Sequence, residues 1–187
     1  MEERQIQSEF NLTDRTVEGY AVCFEEESKN IGWIEVIHRG AITEDTLKNS
    51  DIFAKFNHDN NKILARSKYG EGSLLLQIDE RGVRYMFESP KTALGDELLE
   101  YLHRGDLTAS SFAFTINKED RDAERWYKKD DVIYRDIYKI DRLYDVSPCF
   151  NPAYEATSCS ARYEEIKATS EEIDAKMNLI KQEIENL

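Results

Sequence analysis

Positive charge is scarce in this chain: 25 Lys and Arg face 38 Asp and Glu among 187 residues, a net charge of −13. Such a surface repels phosphate backbones, and general nucleic-acid binding is disfavoured. The mixed-sign run from Lys118 to Asp131 reads as a solvated hairpin rather than a basic patch. Cysteine is also scarce. Cys23, Cys149 and Cys159 are odd in number and none stands in CxxC spacing, which argues against a disulfide framework and against a zinc site. A reducing cytoplasm is the expected compartment. No apolar run approaches the roughly 20 residues that span a bilayer, and Met1 to Phe10 is polar and acidic, so neither membrane insertion nor secretion is expected. There is no GxSxG elbow, no glycine-rich phosphate loop and no HExxH motif. What is present suffices for a core: 40% of residues are hydrophobic and 11% aromatic, despite a charged fraction of 34%. The length suits one domain with a terminal appendage.

From Arg4 to Glu88 the chain alternates short β-type segments with turn residues. Strands are predicted over Thr16 to Phe24, Trp33 to Ile37, Asp51 to Asn57, Ser73 to Ile78 and Val83 to Glu88, where β-branched and aromatic residues gather. Their spacing predicts a sheet that curls into a barrel. A short helix is expected over Ile42 to Lys48, capped by Thr43. Thr92 to Arg104 has the pattern of an amphipathic helix: Thr92 can cap it, Leu94, Leu98 and Leu102 share a face, and Gly105 supplies the stop. Leu107 to Asn117 follows as a strand, with Phe112, Phe114 and Ile116 on one face and Ser111, Ala113 and Thr115 on the other. Further strands are expected at Arg125 to Lys128 and at Val132 to Val146, the latter bent or broken near Asp141, with Pro148 and Pro152 ending the strand region.

The last stretch changes character. Tyr163 to Leu187 contains no Gly or Pro, and Ile166, Ile173, Ile180 and Leu187 recur every seven residues. Tyr163, Ser170, Met177 and Ile184 fill the complementary heptad position, and seven acids against three bases leave the segment at −4. A terminal amphipathic helix is expected, packed on its own domain or on a partner. The fold class expected is therefore α+β: a mostly antiparallel, barrel-like sheet with flanking helices, over residues 1–160, and a C-terminal amphipathic helix over residues 161–187.

Three histidines can be weighed singly. His38 ends an apolar run before Arg39-Gly40 and reads as a surface strand end. His103 lies in the last turn of the Thr92 helix, where a cation suits the negative end of the dipole. His58 ends a predicted strand within Phe56-Asn57-His58-Asp59, where a side chain can face a cleft and exchange a proton near neutrality. A serine hydroxyl needs such a base before it becomes nucleophilic. Ser111 shares its strand face with the small Ala113, which leaves room for a substrate, whereas Ser110 shares a face with Phe112 and Phe114. Asp145, in the apolar stretch Leu143 to Val146, is costly to bury without a cation, a donor or an imidazole beside it. From spacing alone each of the three also fits an ordinary structural role: a satisfied histidine, a strand serine, an aspartate paired with Arg or Lys.

The order of several blocks resembles the prohead maturation proteases of tailed bacteriophages, whose fold is similar to that of the herpesvirus maturation proteases. Glu18-Gly19-Tyr20-Ala21-Val22-Cys23-Phe24 looks like the opening strand, and Glu35-Val36-Ile37-His38-Arg39-Gly40-Ala41 like the E-x-I-x-x-G-A segment. Asn57-His58-Asp59 looks like the histidine motif, and Gly105 to Phe114 like the G-x-L-x-x-x-S-x-x-F serine motif. Leu143-Tyr144-Asp145-Val146-Ser147 with Asn151-Pro152-Ala153-Tyr154 looks like the closing block. The resemblance spans roughly residues 5 to 160. It implies a serine endopeptidase with His58 as general base, Ser111 as nucleophile and Asp145 as third member, requiring no metal or cofactor. Asp145 is one methylene shorter than the glutamate more often found there, and it is still expected within hydrogen-bond reach of the His58 imidazole, directly or through one water. Ala109 and Ala113 stand where glycines are common.

The resemblance further implies that such an enzyme trims scaffold or capsid-protein extensions, and itself, inside the assembling procapsid in the bacterial host cytoplasm. The expected partners are the phage major capsid protein or the scaffold protein, with the terminal helix as the attachment and self-association as a further expectation; no membrane or specific nucleic-acid partner is expected. The competing reading is a catalytically inactive assembly or scaffold-docking protein of the same fold, and a plain acidic binding barrel is a third.

Overall fold

The structure is a computed structural model that describes residues 1–7, 10–13 and 15–150. The terminal helix expected over 161–187, the boundary at residue 160, Cys159 and the Asn151 to Tyr154 block lie outside the described residues. Along the chain run β1 (Glu2–Gln7), β2 (Asn11–Thr13), β3 (Thr16–Cys23), β4 (Ile34–Ile37), α1 (Glu44–Lys48), β5 (Asp51–Lys55), β6 (Ile63–Lys68), β7 (Glu71–Gly72) and β8 (Leu74–Ile78). These are followed by β9 (Gly82–Glu88), α2 (Ala93–Arg104), β10 (Ala109–Thr115), β11 (Glu124–Lys129), β12 (Val132–Ile137) and β13 (Arg142–Cys149).

The strands form three sheets, ordered β1-β10-β13-β5-β6-β7, β2-β3-β9-β8 and β11-β12-β4. The expected α+β class with mostly antiparallel pairing agrees with this arrangement, but the barrel does not: each sheet has two ends, and no closed barrel forms among the described residues. The break expected near Asp141 in the stretch Val132 to Val146 is present. It falls at Tyr138–Asp141, so that β12 pairs parallel with β4 while β13 pairs antiparallel with β10 and parallel with β5. Residues 132–149 thus serve two sheets.

Local signals account for the helices. In α2 the Thr92 hydroxyl accepts from the Gly95 amide, and Gly105, at φ 71°, closes the helix in the left-handed region that favours glycine. Leu98, Leu99 and Leu102 turn inward and are buried, each worth about 1.5–3 kcal/mol in transfer from water. In α1, Thr43 and Thr46 satisfy one another's backbone amides as a capping box. Pro148, expected to end the strand region, lies inside β13 opposite Ser110. The position tolerates a missing N–H because the β5 pairing is already complete at Asp145↔Phe53, while the Pro148 carbonyl accepts from the Asn57 amide at 3.0 Å. That last bond ties the turn after β5 to the end of β13, and it is this tie that brings residue 58 towards β10.

Candidate active site

Strand alternation decides which serine faces the site. Ser110 points into the core, where its hydroxyl lies 2.8 Å from the buried Tyr85 Oη, on the side of Phe112 and Phe114. Ser111 faces the other way, and His58 Nε2 lies 2.5 Å from its Oγ. The histidine comes not from a strand end, as Asp51 to Asn57 suggested, but from the turn between β5 and β6. Asn57 and His58 stand in succession at φ 52° and 59°. Left-handed geometry is uncommon outside glycine, although Asn and His adopt it more readily than most residues. The turn is held by the Asn57–Pro148 bond and by Phe56 and Lys62, whose amide and carbonyl lie 2.9 Å apart.

On its other side the imidazole meets Asp145, with Nδ1 2.9 Å from Oδ1. The contact is short. It is also bent, for Nδ1 makes no well-aligned hydrogen bond despite the distance. The Asp145 carboxylate is shared: Lys55 Nζ lies 3.1 Å from Oδ2, and the Ser147 hydroxyl donates to Oδ1 at 2.9 Å. The two readings of Asp145, imidazole partner and lysine partner, are both realised, since the carboxylate has two oxygens and spends one on each.

Burial and charge set the proton affinities. Burial disfavours the charged imidazolium, yet the Asp145 carboxylate and, more weakly, Glu3 outweigh it, so His58 titrates above its ordinary 6.5. Burial pushes Asp145 up, but His58, Lys55 and Ser147 hold it below the ordinary carboxylate range. Ser111 is inaccessible, at 0% exposure. Its Oγ donates at 2.7 Å to the backbone carbonyl of Arg4, on β1. A carbonyl only accepts, so the single hydroxyl hydrogen is directed at β1 and His58 Nε2 is left as the donor to Oγ.

The other residues singled out earlier lie elsewhere. His38 stacks on Tyr138 at 4.6 Å between ring centroids and reaches Glu25 at 3.0 Å, while His103 donates from Nδ1 to the Leu99 carbonyl at 2.7 Å, within the last turn of α2. Cys23 and Cys149 are free and buried. Sequence reasoning missed Lys55, Ser147 and β1. Ser147 was detectable, since it follows Asp145 by two in a strand and must share its face. Nothing in the sequence links Arg4 to Ser111, 107 residues away. Among the described residues no group of three or more His, Cys, Asp or Glu is placed to hold a metal ion, and no described helix is long and apolar enough to cross a membrane.

No curated protein and no solved structure matches the chain. A family model does, over residues 2–172, a stretch that contains every residue of the His58–Ser111–Asp145 cluster and all thirteen strands just described. Its match over most of the length establishes that this chain belongs to the caudovirus prohead serine proteases.

Proposed function

We propose that the protein is a serine endopeptidase in which Ser111 is the nucleophile, His58 the general base and Asp145 the residue that orients and charges the imidazole. The observation that carries this reading is one imidazole bridging the two other groups, 2.5 Å from the Ser111 hydroxyl and 2.9 Å from the Asp145 carboxylate, in a chain of a serine protease family. With His58 neutral, Nε2 takes the Ser111 proton as Oγ bonds to the scissile carbonyl carbon. The same proton passes to the leaving amine as the C–N bond breaks. Water then gives a proton back to His58 and its oxygen to the acyl carbon, which releases the acid and restores Ser111. Asp145 stabilises the imidazolium in both half-reactions, and Lys55 holds the far carboxylate oxygen in place.

The family description points to the assembling prohead of a tailed phage, so the substrates are proposed to be scaffold or capsid-protein extensions and the enzyme itself, in the host cytoplasm. Residues 1–160 are proposed as the protease domain and 161–187 as an amphipathic helix that attaches it to scaffold or capsid protein. The test is co-expression with the capsid protein, comparing wild type with Ser111→Ala by intact mass. Cleavage should fall by orders of magnitude in the variant, because a triad without its nucleophile keeps only binding effects. Equal cleavage by the two proteins would refute the assignment and favour the inactive docking reading.

A further inference from the structure

β1 lies antiparallel along β10, which would otherwise be the last strand of the six-stranded sheet, with Gln5 opposite Ser111 and Arg4 opposite Phe112. An extended peptide entering a protease by strand addition lies in this way, its main chain paired to an edge and its side chains read by pockets. The Arg4 carbonyl oxygen stands 2.7 Å from Ser111 Oγ, so Arg4 is the residue whose main-chain carbonyl β1 presents to the nucleophile. Its side chain is buried in a pocket: the guanidinium binds Glu35 through Nε at 2.6 Å and through a second nitrogen at 2.7 Å, and it lies 5.8 Å and 5.6 Å from the Trp33 and Phe114 ring centroids. Two residues earlier, Glu2 binds the buried Arg135 guanidinium, at 2.9 Å from its second terminal nitrogen and closer still to the first.

From these contacts we infer that β1 occupies the substrate strand's own site, and that the site selects an arginine whose carbonyl faces Ser111, with an acidic residue two positions before it. The inference rests on the serine protease reading and adds the substrate class to it. Charge supports the choice of a cation. Arg4 and Arg135 both bind the buried Glu35 carboxylate, and Arg135 also binds Glu124 at 2.6 Å, so Glu35 meets two guanidiniums when β1 is in place. A neutral or acidic side chain in place of Arg4 would leave the buried Glu35 to the one guanidinium that it shares with Glu124. Arg135 in turn supplies the cation that a Glu at the earlier position needs. β1 must also leave before any substrate reaches Ser111, because the nucleophile is wholly covered and its hydrogen is bonded to β1.

The experiment uses the full chain and its Arg4→Ser variant, a fluorophosphonate probe, and quenched peptides built on Glu-Glu-Arg-Gln-Ile-Gln with the Arg replaced by Gln or Glu. The variant should label faster than wild type, and it should hydrolyse the Arg peptide at least about tenfold faster than the Gln peptide. Adding Glu35→Gln should narrow that preference. Labelling of Ser111 with equal turnover of all peptides would overturn the subsite and leave the protease reading standing. A folded variant that neither labels nor cleaves would overturn the protease reading, and the subsite with it. Should Arg4→Ser not fold, deuterium exchange of wild type replaces it: saturating Arg peptide should raise exchange in residues 2–7, and the Gln peptide should not. No rise with either, or the same rise with both, would refute the inference.

Discussion

Asp145→Asn should expose how much of the site's stability rests on one shared charge. The Asp145 side chain is 2% exposed and that of Lys55 12%, with 3.1 Å between Nζ and Oδ2. Asparagine keeps the volume and can still accept from Ser147, but it strands the ammonium. Breaking a buried pair by removing one partner costs about 3–5 kcal/mol. Lys55 belongs at the low end, about 3 kcal/mol, because its flexible stem can swing the ammonium towards water. For a chain of this size that corresponds to a fall of roughly 6–12 °C in melting temperature. Lys55→Met should cost less, about 1–2 kcal/mol, since Asp145 keeps the Ser147 donor and the His58 imidazole. The double variant Lys55→Met/Asp145→Asn removes the stranded charge as well as its partner, so it should be more stable than Asp145→Asn alone, with a coupling of about 2 kcal/mol. Guanidinium denaturation at pH 7, fitted by linear extrapolation, measures all four proteins. Strict additivity, within about 0.5 kcal/mol, would refute the claim that the pair shares a buried interaction.

The remaining expectations concern the same elements. His58 titrates above 6.5 in the folded protein, so peptide cleavage should climb with pH through an inflection above that value, and Asp145→Asn should bring the inflection down. By linkage, the stability that His58 contributes is complete below 6.5 and is lost as pH rises through the folded value, whereas that of Asp145 is present above its ordinary 3.8 and is lost as pH falls through its depressed value. Ser110→Ala should cost about 1–3 kcal/mol by orphaning the buried Tyr85 hydroxyl, yet still permit cleavage; loss of cleavage with full stability would exchange the roles of Ser110 and Ser111. Burial pushes the Cys149 thiol up to about 12, so alkylation at pH 8 followed by peptide mapping should find it unmodified until the protein is denatured. Removal of residues 163–187 should leave cooperative unfolding and peptide cleavage in place while recruitment to capsid or scaffold protein is lost, which co-sedimentation would measure.

Much of the site was legible in the sequence because its signals are local. Alternation over Ala109 to Thr115 separates Ser111 from Ser110 without reference to any other segment, since successive side chains on a strand must point to opposite faces. The Thr92 cap and Gly105 stop bound α2 for the same reason: the groups that terminate a helix lie within a turn of its ends. The ordered blocks placed His58, Ser111 and Asp145 in one family's pattern before their distances were known.

What the tertiary structure alone decided depends on pairings between remote segments. Strand spacing carries no record of which strand ends a sheet, so a curled barrel was expected where three separate sheets form. Lys55 and His58 both reach Asp145 only because β13 lies beside β5, a parallel neighbour 90 residues away in the chain. The same holds for β1. Glu2 to Gln7 reads in sequence as a polar, acidic lead-in, and only its pairing with β10 puts a buried arginine and its carbonyl against the Ser111 hydroxyl, because the local pattern of a strand fixes which side chains share a face and does not name the remote strand that satisfies its backbone groups.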